Sequence, residues 1–575
     1  MPNHVRMDHT EHTSGSSRER DVPHRRRRGA AAGLVATAVA LGVAELTRAL
    51  DRRLSSPVID VGARFIDATP RWLKDAAISW FGTNDKVALI VGIAVLLVLY
   101  AVTIGILAMR RRWVGVVGVA LFAAIGMVAS VLAEGPWWSL LPSLVGGVAG
   151  AGALWFLVGR AVPPAAVPRG ATARPDPRPA AGAPPAAADP QSVAEPQHPI
   201  AGLTDAERDR LIETAPAEGH GRRSFLVASS ALTVLALAAG ATGRALSQRF
   251  DVAALREKIR LPGARRPLPE VPAGVELDVE GITPFFTPNG DFYRIDTALV
   301  APQVPTDTWV LRVTGSVDRE LELSYEELLD RDLVESDITL TCVSNEIGGQ
   351  LAGNARWLGV PLAELLAEAG VQDDADQIVG RSTDGFTSGF PVEYGLEPAR
   401  GALVAVGMNG EPLPVIHGFP ARLVVPGLYG SVSATKWLTE IELTRFDRFD
   451  AYWAERDWAP LAPIKTFSRI DSPKPLERIS VGPRAIAGVA WAQTVGIDRV
   501  EVRVDGGEWM PAQLAEELND VTWRQWMLPY EFTEPGSHTI ECRATDRTGA
   551  IQTADRSEPF PDGATGWHSL VTLVS

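Results

Sequence analysis

The sequence predicts an α-helical membrane region, then an α+β domain, then an all-β sandwich, and three observations carry that prediction. Long apolar stretches fall between Gly29 and Gly243, helix-like runs mix with short strands from about 275 to 450, and alternating strands separated by turns follow from about 475. At 575 residues the chain exceeds what one ordinary core supports, so two or more domains are expected.

Residues 1–28 are polar and end in Arg25-Arg26-Arg27-Arg28, as expected of a disordered cytoplasmic tail. The apolar stretch that follows lacks a convincing small-residue cleavage site, so no removable signal peptide is expected. Residues 29–160 read as a membrane region of four transmembrane helices: Gly29 to Leu46, Val87 to Met109, Trp113 to Ala133 and Trp137 to Val158. Each has about 18 residues or more, roughly what a helix needs to cross ~30 Å of hydrocarbon. Pro142 interrupts the fourth near its start. Its Gly146, Gly147, Gly150 and Gly152 suit close helix packing, since no strand precedes them to make a phosphate loop.

A Pro/Ala-rich linker is expected over 161–221, and a second extended stretch over Arg260 to Pro272. Between them, residues 222–246 form a fifth expected span. Its entry, Arg222-Arg223-Ser224-Phe225-Leu226, resembles a twin-arginine export signal, here internal, although a basic cytoplasmic flank would look the same. Five spans place every arginine cluster inside, and the C-terminal part in the extracytoplasmic space beside the cell membrane.

Over 275–450, Pro361 to Ala369 presents Leu362, Leu365 and Leu366 on one helical face, while Trp309 to Val313 and Asp337 to Thr341 read as strands. Over 465–575, Val500, Val502 and Val504 share a face before Asp505-Gly506-Gly507, and His538, Ile540 and Cys542 do so after Pro535-Gly536. That spacing predicts an immunoglobulin-like antiparallel sandwich.

The 55 Lys and Arg against 69 Asp and Glu give a formal charge of −14, with bases crowded into the first 270 positions. The soluble part is therefore acidic, and no nucleic-acid partner is expected. Cys342 and Cys542 are the only cysteines, which excludes a disulfide scaffold and any CxxC site for zinc, iron-sulfur or c-type haem. Metal chemistry must rest on one thiol or on none.

Cys342 ends the strand-like run Thr339-Leu340-Thr341, just before Gly348-Gly349, and a thiolate there suits a thiophilic metal. A lone cysteine is more often an inert core residue. A Cys342–Cys542 disulfide, conceivable in an oxidising compartment, would abolish the ligand reading. The surrounding segments, however, together resemble the sulfite oxidase family of molybdopterin enzymes. They are Thr287-Pro288-Asn289-Gly290-Asp291-Phe292-Tyr293-Arg294, the Cys342 segment, Gly353-Asn354-Ala355-Arg356-Trp357, and the long run through Met408-Asn409-Gly410, His417-Gly418-Phe419-Pro420-Ala421-Arg422, Pro426-Gly427-Leu428-Tyr429-Gly430 and Lys436-Trp437.

The resemblance spans roughly 275 to 575 and implies a molybdenum-molybdopterin cofactor with Cys342 as metal ligand and Arg294 facing the oxo group and substrate. It implies that Asn289, Tyr293, Arg294, Cys342, His417, Arg422 and Lys436 hold the cofactor, and that the C-terminal sandwich dimerises. Fixed cations suit a phosphate, and arginine offers a planar fork. Two positions depart from the family pattern: Glu346 stands where sulfite oxidases carry an arginine, and Trp458 replaces a tyrosine near the metal. A carboxylate at the first would repel sulfite, so the substrate is expected among small oxoanions or sulfoxide-like molecules. Asp384 to Pro391 reads equally as pocket lining or an ordinary turn.

No histidine occurs between His24 and His198 or between His220 and His417, so no b-type haem is expected in the spans. The spans then serve as an anchor in the lipid bilayer, and electrons leave through a separate extracytoplasmic cytochrome or copper protein. The rival from another class is a non-enzymatic, membrane-tethered binding protein that retains the fold.

Overall fold

Helices make up the N-terminal part of the chain and strands dominate the rest, in two units comprising residues 1–249 and 250–575. The computed structural model describes residues 16–51, 54–70, 80, 85–132, 137–161 and 217–575. Most of the expected Pro/Ala linker and the first half of the N-terminal tail lie outside the described residues.

In the first unit, α1 (Ser16–Arg48), α2 (Pro57–Ala68), α3 (Asp85–Ala108), α4 (Arg112–Leu132), α5 (Leu141–Ala161) and α6 (Ala217–Ser247) follow in order. Among the described residues, five helices are long and apolar enough to cross a membrane, at the five expected places. Helix α1 packs on α3, α5 and α6, burying the small residues Ala32, Ala36, Ala40 and Ala44. Such side chains let helix backbones approach closely. Gly146 is one reason they can: a Cβ there would lie 2.5 Å from the Ala40 carbonyl oxygen, and Gly147 and Gly150 are as close to neighbouring helices, whereas Gly152 of the same run faces open space. Pro142 falls in the first turn of α5, after a 3₁₀ turn at Trp137–Leu140, where its missing N–H costs nothing.

Helix α2 was not expected. At 12 residues it is too short to span, and it buries Asp60, whose carboxylate accepts hydrogen bonds from Ser130 (2.7 Å) and Ser55 (2.5 Å). Helix α6 begins five residues earlier than the expected 222, so Arg222 and Arg223 stand inside it.

The second unit holds four sheets. Its strands are β1 (Val310–Gly315), β2 (Leu321–Ser324), β3 (Val334–Thr341), β4 (Ala352–Pro361), β5 (Gln377–Ser382), β6 (Thr387–Pro391), β7 (Leu403–Met408), β8 (Glu411–Pro412), β9 (Arg422–Val424) and β10 (Leu438–Thr444). Order β2-β1-β10-β5-β6 makes one sheet and β3-β4-β7-β8, with β9 on β7, the other. All pairs are antiparallel except β1 with β10. The interleaved helices are α7 (Tyr325–Leu329), α8 (Leu362–Ala369), α9 (Val392–Leu396) and α10 (Gly430–Ser433). Helix α7 starts with a capping box, Ser324 with Glu327. Helix α8 buries Leu362, Leu365, Leu366 and Ala369, the face predicted from sequence, and stops at Gly370 in a left-handed conformation. The α+β reading therefore holds. The Asp384 stretch is a turn between β5 and β6, with Asp384, Gly385 and Phe386 outside the core.

The C-terminal strands are β11 (Phe467–Ser472), β12 (Arg478–Ile479), β13 (Gly482–Trp491), β14 (Ile497–Val504), β15 (Met510–Pro511), β16 (Gln513–Leu514), β17 (Arg524–Phe532), β18 (Gly536–Asp546) and β19 (His568–Val574). They form two sheets, β11-β13-β17-β16 and β12-β19-β18-β14-β15. One core joins them, with Ile486, Trp526 and Phe532 from the first and Val500, Val502, Ile540 and Cys542 from the second. The period-2 alternation read in β14 and β18 is what directs those side chains inward.

Candidate active site

Cys342 follows the last residue of β3, and three features hold it there. Its N–H donates to the Leu351 carbonyl (2.9 Å), its carbonyl accepts from the Asn345 N–H (3.0 Å), and its Sγ lies 3.0 Å from the Ser344 hydroxyl. Both cysteines are free and buried, so the disulfide alternative is not formed. Burial raises the Cys342 thiol pKa, while the Ser344 contacts and the nearby Lys436 ammonium pull it down. Two tyrosine hydroxyls share this environment. Burial raises Tyr293, with Cys342 adding and Arg422 opposing. Tyr429 is pushed up to about 12, again by burial first, with smaller contributions from Asp562 and Cys342.

The cluster of His417, Arg422 and Lys436 is brought beside the thiol by β9, α10 and the segments flanking them. Arg422, on β9, is 5% exposed. Its hydrogen bonds go only to the carbonyls of Leu423 (3.4 Å), His417 (3.1 Å) and Ala434 (3.4 Å), and its guanidinium lies 5.1 Å from the Trp357 ring centroid. Burial pushes its pKa down to about 10, opposed only by the nearby Tyr293 phenol. A cation so enclosed without a carboxylate is costly unless an anion joins it.

Lys436 is also buried, and its pKa is pushed down to about 8, although Asp296 opposes the fall. Asp296 receives Lys436 Nζ at 2.9 Å and Arg294 Nε at 2.8 Å, so two cations share one carboxylate and one positive charge remains. Arg294 is the more accessible, its side chain 36% exposed. His417 closes the group. Its Nε2 lies 2.9 Å from the Asn289 carbonyl, and burial, aided by Arg422, Lys436 and Arg294, lowers its pKa to about 4 despite that contact. The imidazole is therefore neutral, with Nε2–H donating to Asn289 and Nδ1 left as an acceptor.

Gly418 makes this convergence possible. Its φ is +110°, and a Cβ would lie 3.1 Å from both Arg422 Cβ and Lys436 Cα.

Cys342, Tyr293, Arg294, His417, Arg422 and Lys436 are thus brought together. Asn289 joins them through its backbone carbonyl. Its side chain is committed elsewhere, donating to Glu411 (2.5 Å) and Met408 (3.3 Å) and accepting from Asn409 (2.9 Å). Sequence reasoning missed Asp296, which neutralises part of the cluster, and Thr341, whose buried hydroxyl finds no partner among the described residues next to Cys342. Asp296 stands two residues after Arg294, a spacing with no periodic meaning in an irregular segment. Glu346 is exposed, and Trp458 is half-buried between Trp453 and Phe560, with ring centroids 5.9 and 5.4 Å away.

These donors fit an anionic, sulfur-ligated cofactor: a buried thiol, an unpaired guanidinium, a neutral acceptor nitrogen and an orphan hydroxyl. Residues 298–453 match the family model described as the oxidoreductase molybdopterin binding domain. That defines the class, an oxidoreductase domain that carries a molybdenum-molybdopterin cofactor.

Within that class the chain is similar to sulfite oxidases. It is 29% identical to mitochondrial sulfite oxidase of Homo sapiens over 51% of this chain and 62% of that one. Identity is again 29% with the Macaca fascicularis enzyme, over 46% of this chain and 56% of that one. It is 26% identical to NADH nitrate reductase of Solanum lycopersicum, over 43% of this chain and 34% of that one. The chain thus spans about three fifths of the sulfite oxidases it matches. The sulfane dehydrogenase SoxCD of Paracoccus pantotrophus aligns in structure over 56% of this chain and 94% of that one, at 23% identity and a TM-score of 0.46.

Proposed function

We propose that this chain is a membrane-anchored, molybdopterin-dependent oxidoreductase that transfers an oxygen atom to or from a small oxoanion or sulfoxide-like substrate. The observation that carries the reading is Arg422, a buried guanidinium whose hydrogen bonds go to carbonyls, beside the Tyr293 phenol that also senses the buried Cys342 thiol. Cys342 is assigned as the metal ligand. Arg422 and Lys436, with His417 as neutral acceptor, grip the phosphate and the pterin edge. Asn289 orients His417, and Tyr293 packs its phenol between thiol and guanidinium. Arg294, the most exposed cation of the group, faces substrate. When bound, the cofactor supplies a two-electron redox centre at the sulfur. The protein's part is to exclude water, fix the ligand and hold the local charge.

Glu346 and Trp458 disfavour sulfite itself, because a carboxylate at the mouth repels a dianion and an indole lacks the phenol's acidic proton. The five apolar helices anchor the chain in the bilayer with the catalytic unit outside, and electrons pass to a separate soluble cytochrome or copper protein. The two C-terminal sheets form an immunoglobulin-like sandwich suited to homodimer formation.

The test is metal and pterin content of the purified chain. Wild-type protein should carry near-stoichiometric molybdenum and turn over sulfoxides or oxoanions with an artificial electron carrier. Cys342→Ser should abolish turnover with the fold retained. Turnover kept by that variant, or folded wild-type protein from cofactor-competent cells devoid of molybdenum, overturns the reading.

A further inference from the structure

The loop that carries Cys342 is gripped at its far end by the C-terminal sandwich. The loop closes on itself through Cys342 and Leu351, through the Leu351 N–H donating to Asn345 Oδ1 (2.8 Å), and through the Gly349 N–H donating to the Glu346 carbonyl (2.9 Å). Its tip is Gly348-Gly349. There the guanidinium of Arg469, on β11, donates to the Gly349 carbonyl (2.9 Å), to the Thr283 hydroxyl (2.9 Å) and, through Nε, to Asp471 (2.7 Å). Arg469 is 1% exposed, and the Asp471 side chain only 4%. The ion pair brings no net charge, so its placement so deep in the fold asks for another reason.

His568, the first residue of β19, supplies the second half of the grip. Its Nδ1 accepts from the Ile470 N–H (2.9 Å), which fixes the ring. Its other edge lies so close to Gly348 that a Cβ there would overlap Nε2. Gly348 also has φ +74°, so only glycine fits on both counts. Ile347 packs toward Gly566 on the same side. Further stitches hold β3 itself: the Thr339 N–H donates to the Val521 carbonyl (3.1 Å), and the Trp523 N–H to the Thr339 hydroxyl (2.8 Å).

We propose that Arg469, Asp471 and His568 are positioning residues, through which the sandwich sets the Cys342 loop and hence the place and exposure of the thiol. This rests on the reading of Cys342 as the metal ligand. It gives the C-terminal domain a role in the site of its own chain, separate from any contact between copies.

The two cysteines make the test internal. Full-length protein, purified in detergent from cells unable to make the pterin, is treated with iodoacetamide, and alkylation at each cysteine is followed by mass spectrometry. Arg469→Lys keeps the charge opposite Asp471 but loses the fork to Gly349. It should speed alkylation of Cys342 about tenfold, the factor that one lost charge-assisted hydrogen bond implies for local opening. Gly348→Ala should do the same by displacing the turn from His568. Cys542, buried in the sandwich beside Ser468, should label at the wild-type rate in both.

In cofactor-loaded protein the Arg469→Lys variant should shift the thiolate-to-metal absorption band while Arg503→Lys, at the outer face of β14, leaves it in place. Unchanged Cys342 labelling in both variants overturns the proposal, as does equal acceleration at Cys542, which would mean that the sandwich has merely loosened. The labelling needs no metal, so failure of the ligand assignment would appear separately, as molybdenum-free wild-type protein.

Discussion

At single residues, charge environment decides function here. His417 is held neutral by burial and three neighbouring cations, with its pKa at about 4 against an ordinary 6.5. Because the folded value lies below the unfolded one, the unfolded chain takes up the proton first as pH falls. His417 therefore contributes stability above about pH 6.5 that is lost on the way down to pH 4, up to about 3 kcal/mol. Thermal melts of cofactor-free protein should show a steeper loss between pH 6.5 and 4 for wild type than for His417→Gln, and parallel curves would refute the assignment. Gly418→Ala adds a Cβ against Arg422 and Lys436 at a backbone angle that side chains rarely adopt. It should cost about 2 kcal/mol or more and lower molybdenum content, read by metal analysis beside a melting curve.

Within the candidate site, Cys342, His417, Arg422 and Lys436 stood out in the sequence because they sit in distinctive runs. Asp296 and Thr341 were not, since a solitary acid or hydroxyl acquires meaning only from what folds around it. The same holds for the Asn289 carbonyl, which meets His417 only because the fold brings two segments 128 residues apart together.

For the secondary-structure elements, hydrophobic period was the reliable signal. Helix α8 was read from three leucines, and all are fully buried. Leu365→Ala in that face should destabilise the 250–575 unit by about 2–5 kcal/mol, whereas Leu365→Met should cost under about 1.5. Denaturant titration distinguishes them. Helix α2 escaped notice because it is short and its Pro57 start looks like loop, and its burial of Asp60 depends on Ser130, 70 residues away. The edges of α6 were also misplaced. Helix propensity carries the chain back to Ala217, five residues before the expected start at Arg222.

For the whole molecule, the prediction concerns sidedness. If Arg222-Arg223 drives export of a folded, cofactor-loaded unit, replacing the pair by Lys-Lys should retain the catalytic unit inside the cell. A C-terminal reporter that functions only in one compartment would read this, and unchanged external activity would count against the export reading. Every basic cluster then falls on the cytoplasmic face, as five spans require.

The sequence by itself determined where the apolar helices lie and that an α+β segment precedes two packed antiparallel sheets. Those properties are written in neighbours three, four or two residues apart, the distances over which helix and strand periods act. Only the tertiary structure decided which cations are already neutralised and which are left for a ligand. Lys436 meets Asp296 across 140 residues, and Arg469 reaches Gly349 across 120. Electrostatic energy depends on separation and burial in space, so no local pattern could have announced that Arg422 would be enclosed with its hydrogen bonds spent on carbonyls.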